Sequence, residues 1–261
     1  MLDFAISLAL EAGATLRGFF EAELDVRSKS SEIDLLTQAD LASESLILDR
    51  IRERFPGHAI LSEEAGESGT HDFYWVVDPL DGTVNFAHGM PHYCVSIALR
   101  RGFETIAGVV YDPERDELFW AERGAGAYLR RANGSERRLR VGSARNLQES
   151  LLATGFPYDR ATNPANNLAE FNRIILRVRG VRRAGSAALD LAYVAAGRYD
   201  GYWEYRMKPW DTAAAALMVV EAGGALVTLD GGVWDPWQDT TVAANPTLLP
   251  VLVAALNGES A

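Results

Sequence analysis

Apolar positions recur at helical spacing near the start of the chain. Leu8, Ala12, Leu16 and Phe19 or Phe20 fall on one face of an amphipathic helix expected from Asp3 to Glu23. Thr37-Gln38-Ala39-Asp40 has the form of a capping box and opens a helix through Leu41, Leu46, Ile47, Leu48 and Ile51, which stops before Pro56-Gly57. The period then shortens. His58 to Ser62, Tyr74 to Val77, Cys94 to Arg100, Thr105 to Tyr111 and Glu117 to Ala121 read as strands separated by turn residues, with the regular spacing of an antiparallel sheet. The second half alternates. Strands are expected at Leu151 to Thr154, Tyr199 to Glu204 and Ala225 to Leu229; helices at Ala165 to Arg179, Ala187 to Ala196, Thr212 to Ala222 and about Thr247 to Leu256. Helices layered on sheets throughout predict an α/β or α+β sandwich. A single domain over residues 1–261 is expected, with an α+β lobe to about residue 145 and an α/β lobe after it.

Composition narrows the function classes. A net charge of −11 argues against a nucleic-acid surface, and it would repel an anionic substrate unless cations reverse the sign locally. Cys94 is the only cysteine, which excludes an intrachain disulfide and a thiolate zinc cluster. No apolar run is long enough to span a bilayer, and the opening Met-Leu-Asp-Phe lacks the basic flank of a signal peptide. A cytoplasmic protein is expected, with no membrane and no direct nucleic-acid partner.

The run Trp75-Val76-Val77-Asp78-Pro79-Leu80-Asp81-Gly82-Thr83-Val84-Asn85-Phe86 ends a hydrophobic strand in paired acids. Pro79 fixes its own φ and pushes Asp78 toward extended geometry, so a tight turn through Pro79 and Leu80 is expected to set Asp78 and Asp81 on one side. Asp-Pro and Asp-Gly are also ordinary turn chemistry, with Asp capping local N–H groups. Adjacent carboxylates repel unless something positive lies between them, and a hard divalent cation is the natural candidate.

More acids stand at the ends of predicted elements: Glu63-Glu64 after one strand, and Asp211 at the start of the alanine-rich helix. Alone, Glu63-Glu64 reads as a solvated loop and Asp211 as an N-cap. Together with Asp78 and Asp81 they outline a site at one sheet edge. Gly82-Thr83 adds N–H groups at the start of a helical turn, suited to a phosphate. The combination suggests metal-assisted attack of water on a phosphate ester.

Two motifs resemble those of the inositol monophosphatase family, within the lithium-sensitive, magnesium-dependent phosphatase superfamily. They are Val77-Asp78-Pro79-Leu80-Asp81-Gly82-Thr83-Val84-Asn85-Phe86, and Trp210-Asp211-Thr212-Ala213 through Gly223-Gly224. Asp34-Leu35-Leu36-Thr37-Gln38-Ala39-Asp40 and Ser62-Glu63-Glu64 follow the family's order, and the resemblance covers nearly the whole chain. It implies an α+β fold, the layered α/β/α/β/α sandwich of inositol monophosphatases and fructose-1,6-bisphosphatases. It implies that Glu63, Asp78 and the Leu80 carbonyl hold a first magnesium, that Asp78, Asp81 and Asp211 hold a second, and that Glu63 and water hold a looser third. Thr83, oriented by Asp40, would position and deprotonate the attacking water, with Glu63 also in the catalytic set; Gly82 and Thr83 amides would bind phosphate. Glu204 matches the acid that hydrogen-bonds inositol hydroxyls, Gly185-Ser186-Ala187 matches the loop lining the substrate pocket, and Lys29 matches a loop lysine near the metals. The implied activity is hydrolysis of inositol-1-phosphate by metal-activated water, sensitive to lithium, in a homodimer.

Leu80-Asp81-Gly82-Thr83-Val84 also mimics part of the haloacid dehalogenase signature. That chemistry needs a nucleophilic aspartate where this chain has Pro79, so the reading fails. Fructose-1,6-bisphosphate, broader sugar phosphates, 3′-phosphonucleotides and histidinol phosphate remain alternative substrates. A regulatory, partner-binding protein retaining the fold is the non-enzyme alternative.

Overall fold

The computed structural model describes residues 1–20, 22, 26–29 and 35–259. Asp34 and the end of the first expected helix at Glu23 lie outside the described residues. The helices are α1 (Leu2–Phe19), α2 (Gln38–Arg54), α3 (Thr83–Ala87), α4 (Leu168–Ile175), α5 (Ala187–Ala195), α6 (Pro209–Glu221) and α7 (Leu248–Leu256). Helix α1 ends at Phe19 because Phe20 turns to extended backbone, at φ −62° and ψ 134°. The capping box forms as expected at α2. The Thr37 backbone N–H donates to Asp40 at 2.8 Å, and the Ala39 N–H donates to the Thr37 hydroxyl at 3.2 Å.

Eight strands form the larger sheet, in the spatial order Glu136–Arg138, Gly126–Arg130, Glu117–Glu122, Glu104–Asp112, Cys94–Arg101, Phe73–Asp81, Ala59–Ser62 and Gly66–Ser68. It is antiparallel except where Ala59–Ser62 runs parallel to Phe73–Asp81. Five strands form the second, mixed sheet: Gly180–Arg182, Leu151–Thr154, Gly201–Tyr205, Thr240–Ala244 and Ala225–Val227. Helices α1 and α2 cover one face of the larger sheet, α5 and α6 fill the space between the sheets, and α4 and α7 lie beyond the second sheet. The result is the expected α/β/α/β/α sandwich, an α+β fold.

The alanines of α6 have a packing reason. Ala213, Ala214, Ala215 and Ala216 are buried between the sheets, and their small side chains let the helix lie close to the strand Glu104–Asp112. At the nearest point a Cβ on Gly108 would stand 2.6 Å from the Ala214 carbonyl oxygen. This contact fixes the height of α6, and with it Asp211 in its first turn.

Helix α4 is shorter than the expected Ala165 to Arg179. Asn167 precedes it in the left-handed region, φ 69°, because its buried side chain serves other partners. Its amide donates to the Thr154 hydroxyl (2.8 Å) and the Gly155 carbonyl (2.6 Å), and its oxygen accepts from the Trp203 indole (2.6 Å). Gly108→Ala drives a methyl into the α6 backbone. Urea unfolding should show a loss of about 1–3 kcal/mol; an unchanged midpoint would contradict the packing account.

Candidate active site

Asp78 and Asp81 reach the same cavity because the strand that carries them gains a residue. Asp78 pairs with Ser96 and Asp81 with Cys94, so three steps on one strand match two on its neighbour. In a regular strand, side chains three apart face opposite ways; the extra residue restores both acids to one face. Pro79, which has no N–H for the ladder, sits in the irregular stretch. The tight turn expected through Pro79 and Leu80 is therefore a bulge within a strand that continues to Asp81. Asp78 Oδ1 accepts the Leu80 N–H at 3.0 Å, the Pro79 carbonyl accepts the Ser43 hydroxyl at 2.8 Å, and the Leu80 side chain is buried against α1 and α2. The chain turns at Gly82, at φ 99°, where a Cβ would come within 3.0 Å of the His92 carbonyl.

Each acid is held by donors from a different element. Asp81 Oδ2 accepts the Ser186 hydroxyl at 2.6 Å and the Ala188 N–H at 2.8 Å, so it caps the N-terminus of α5, whose dipole favours a negative charge. Asp211 Oδ2 accepts the Lys208 N–H at 2.8 Å at the start of α6. Glu63 follows the strand Ala59–Ser62, its N–H bonded to the Val77 carbonyl at 3.2 Å. Lys29 bonds Glu63 at 2.8 Å and also contacts Glu64. Glu44, one helical turn beyond Asp40 on α2, braces this corner: its carboxylate accepts the Glu64 and Ala65 N–H groups at 3.1 and 3.0 Å and the Ser62 hydroxyl. Sequence reading passed over Glu44, although its spacing from Asp40 puts both acids on the buried face of α2.

A cavity of about 510 Å³ is lined by Glu63, Asp78, Leu80, Asp81, Gly82, Thr83, Gly185, Ser186, Ala187, Glu204 and Asp211, with Lys29 and Glu64 at its wall. Asp40 stands behind it, fully buried, with Oδ1 3.1 Å from the Thr83 hydroxyl. The Leu80 carbonyl is also 3.1 Å from that hydroxyl. One proton serves only one of these acceptors, and the hydroxyl oxygen keeps lone pairs for a donor in the cavity. Asn85 ties the loop at Gly185 to the acidic run by donating to the Ala184 and His92 carbonyls at 2.9 and 2.7 Å.

Glu204 enters from the second sheet. A Cβ on Gly155 would fall 2.0 Å from its carboxylate, so the glycine leaves room for the acid where it stands. Burial pushes Glu204 up to about 7, against the Tyr202 hydroxyl that donates to it and the nearby Arg183 charge. Arg183 and Asp190 also line the cavity; neither was singled out from the sequence, where they sit among alternating basic and alanine-rich residues.

The acids strain against one another. Burial, and then the charges of Glu63, Asp81 and Asp211, push the Asp78 carboxyl well above its ordinary range. Burial and the Asp81 charge do the same to Asp211, and burial lifts Glu63 to about 7. An all-oxygen donor set carrying such repulsion fits a hard divalent cation. As placed, with one oxygen of Asp78, Asp81 and Asp211 turned to a protein donor, no three such groups among the described residues converge to ligating separation.

A carboxyl with a raised folded pKa holds its proton more tightly in the folded chain. Its contribution to stability therefore declines as pH rises from about 4 through the folded value. In chelator, Asp211→Asn should melt above the wild-type protein near pH 8, with the gap shrinking toward pH 5. Excess magnesium should invert the order at the higher pH. A gap independent of both pH and magnesium would contradict this electrostatic account.

Comparison with known proteins gives the family and agrees with the layered fold. The model of the inositol monophosphatase family matches residues 1–260. An inositol-1-monophosphatase from Caulobacter vibrioides is 43% identical over 238 residues, covering 90% of this chain and 91% of that protein. The Nus factor SuhB of Escherichia coli K12 is 43% identical over 262 residues, covering 99% and 96%. The solved inositol monophosphatase from Anabaena superposes with a TM-score of 0.87 at 41% identity, covering 99% of this chain and 96% of that one. With the family model matching residues 1–260 and relatives 43% identical over nine-tenths or more of its length, this chain belongs to the inositol monophosphatase family.

Proposed function

We propose that the protein is a magnesium-dependent phosphomonoesterase that hydrolyses myo-inositol monophosphate to inositol and phosphate. The observation that carries the reading is the lining of one cavity by Glu63, Asp78, Asp81 and Asp211 beside Gly82 and Thr83, with Glu204 opposite in the chain's second sheet. Glu63, Asp78 and the Leu80 carbonyl would hold one magnesium, and Asp78, Asp81 and Asp211 another, with Glu63 also able to hold a third. Bound magnesium supplies a water of lowered pKa and neutralises charge gathering on phosphoryl oxygens.

The chain's own residues do the rest. Thr83 Oγ1, backed by Asp40 Oδ1, accepts a proton-bearing donor from the cavity and aligns the attacking water. The Gly82 and Thr83 amides orient the phosphate. Glu204 accepts substrate hydroxyls, while Gly185, Ser186 and Ala187 wall the pocket. Attack on phosphorus is in line and direct, by water rather than by a side chain, with Thr83 Oγ1 given to aligning that water.

The name of the Caulobacter relative favours inositol-1-phosphate as substrate. The equally similar SuhB proteins are named as Nus factors, which favours a second role in binding a regulatory partner through the same fold. We place the protein in the cytoplasm as a homodimer; no helix among the described residues is long and apolar enough to cross a membrane.

Asp81→Asn separates the readings. It should lower phosphate release from inositol-1-phosphate by at least about 100-fold, while a regulatory role would leave partner binding intact. The wild-type protein, assayed with magnesium, should prefer inositol-1-phosphate over fructose-1,6-bisphosphate, a 3′-phosphonucleotide and histidinol phosphate, and millimolar lithium should inhibit it. Full activity in Asp81→Asn, or in excess chelator, would defeat the proposal.

A further inference from the structure

Asp190 is a buried acid for which the chemistry above has no use. It lies on α5 between Leu189 and Leu191, both fully buried, and is itself 2% exposed. Ser186, Ala187 and Asp190 follow the spacing of one helix face and all line the cavity, so this stripe of α5 looks into it. The other buried acids of the site each have donors: Asp40 has Thr37 and Thr83, and Asp78 has the Leu80 N–H. Asp190 Oδ1 has none among the described residues. A buried acceptor without a donor is costly, about 1–3 kcal/mol and more when charged. Burial first, and then the charges of Glu204 and Asp81, push the Asp190 carboxyl well above the ordinary range, with the Arg183 charge acting the other way. The space that borders its side chain, and from which a donor can approach, is the cavity.

We infer that Asp190 is a second acceptor, alongside Glu204, for the hydroxyl groups of a polyol phosphate. The two carboxylates come from different elements, α5 and the strand Gly201–Tyr205, and both border the same space. Such a pair reads neighbouring hydroxyls on a ring or chain, and it leaves unpaired acceptors against an ester that has none. The inference deepens the phosphomonoesterase reading and rests on it: Asp190 sets which alcohol is accepted.

The test compares inositol-1-phosphate with phenyl phosphate, which carries no hydroxyl, in wild-type protein, Asp190→Ala and Asp190→Asn. The ratio of kcat/KM for the polyol ester to that for the phenyl ester should fall about tenfold or more in Asp190→Ala, mainly through KM for the polyol. Asp190→Asn, which keeps one acceptor oxygen, should recover part of it. Calorimetric binding of both esters to the Asp81→Asn protein, with and without Asp190→Ala, gives the same ratio without turnover and covers a variant that folds poorly in one background. A ratio that stays put in both measurements, as when a buried water satisfies Oδ1, or a proportional loss for both esters, overturns the role of Asp190. Failure of the wild-type protein to hydrolyse either ester, with the binding ratio still moved by Asp190→Ala, overturns the hydrolase reading and leaves the hydroxyl selectivity standing.

Discussion

Repulsion among carboxylates is the constraint around which this molecule is organised. Asp78, Asp81 and Asp211, with Glu63 beside them, face one cavity, and beyond burial the charges of Asp81 and Glu63 make both Asp78 and Asp211 harder to ionise. A fold tolerates this only where backbone and hydroxyl donors hold the acids in place. Those donors come from places where N–H groups are free: the start of α5 for Asp81, the start of α6 for Asp211, and the bulge inside the strand at Leu80 for Asp78. Helix α6 thus has two duties. Its alanine face packs against Gly108, and its first turn carries an acid into the cavity.

The layered architecture explains why these pieces meet. The larger sheet supplies Glu63, Asp78 and Asp81 from two adjacent strands that run parallel, so their ends emerge at one edge. The second sheet supplies Glu204, and the helices sandwiched between them supply Asp190 and Asp211. The cavity is therefore assembled from both halves of the chain, which bring the acids proposed for cations and those proposed for hydroxyls to one space. Asn85 and Gly155 make the join possible, the first by pinning the Gly185 loop and the second by leaving space for Glu204.

Much of this was legible in the residues themselves. The capping box at Thr37, the apolar strand before Asp78 and the alanine-rich helix at Asp211 carry strong local signals and all three form, although the strand runs on to Asp81 and the helix starts earlier, at Pro209, with Lys208 rather than Asp211 as its N-cap. Local signals were weaker at Pro79, where a turn and a bulge share the same proline chemistry; only the pairing with Ser96 and Cys94 decides between them. The short strands Gly126–Arg130, Glu136–Arg138 and Gly180–Arg182 lack a periodic pattern because neighbours, not propensity, hold them. The start of α4 was hidden for a related reason, since Asn167 is taken by Trp203 and Thr154, far from it in sequence. Asp190 was invisible because an acid inside an alanine- and leucine-rich helix acquires meaning only when the cavity beside it is seen.

The central claim is that these acids are a cation site that operates on a phosphate ester. Crystals grown in chelator and soaked in manganese, a magnesium substitute with an anomalous signal, test it most directly. The account predicts anomalous peaks about 2 Å from carboxylate oxygens, one between Asp78 and Glu63 and one among Asp78, Asp81 and Asp211. A cavity without peaks at saturating manganese, or peaks held only by residues elsewhere on the surface, would contradict it.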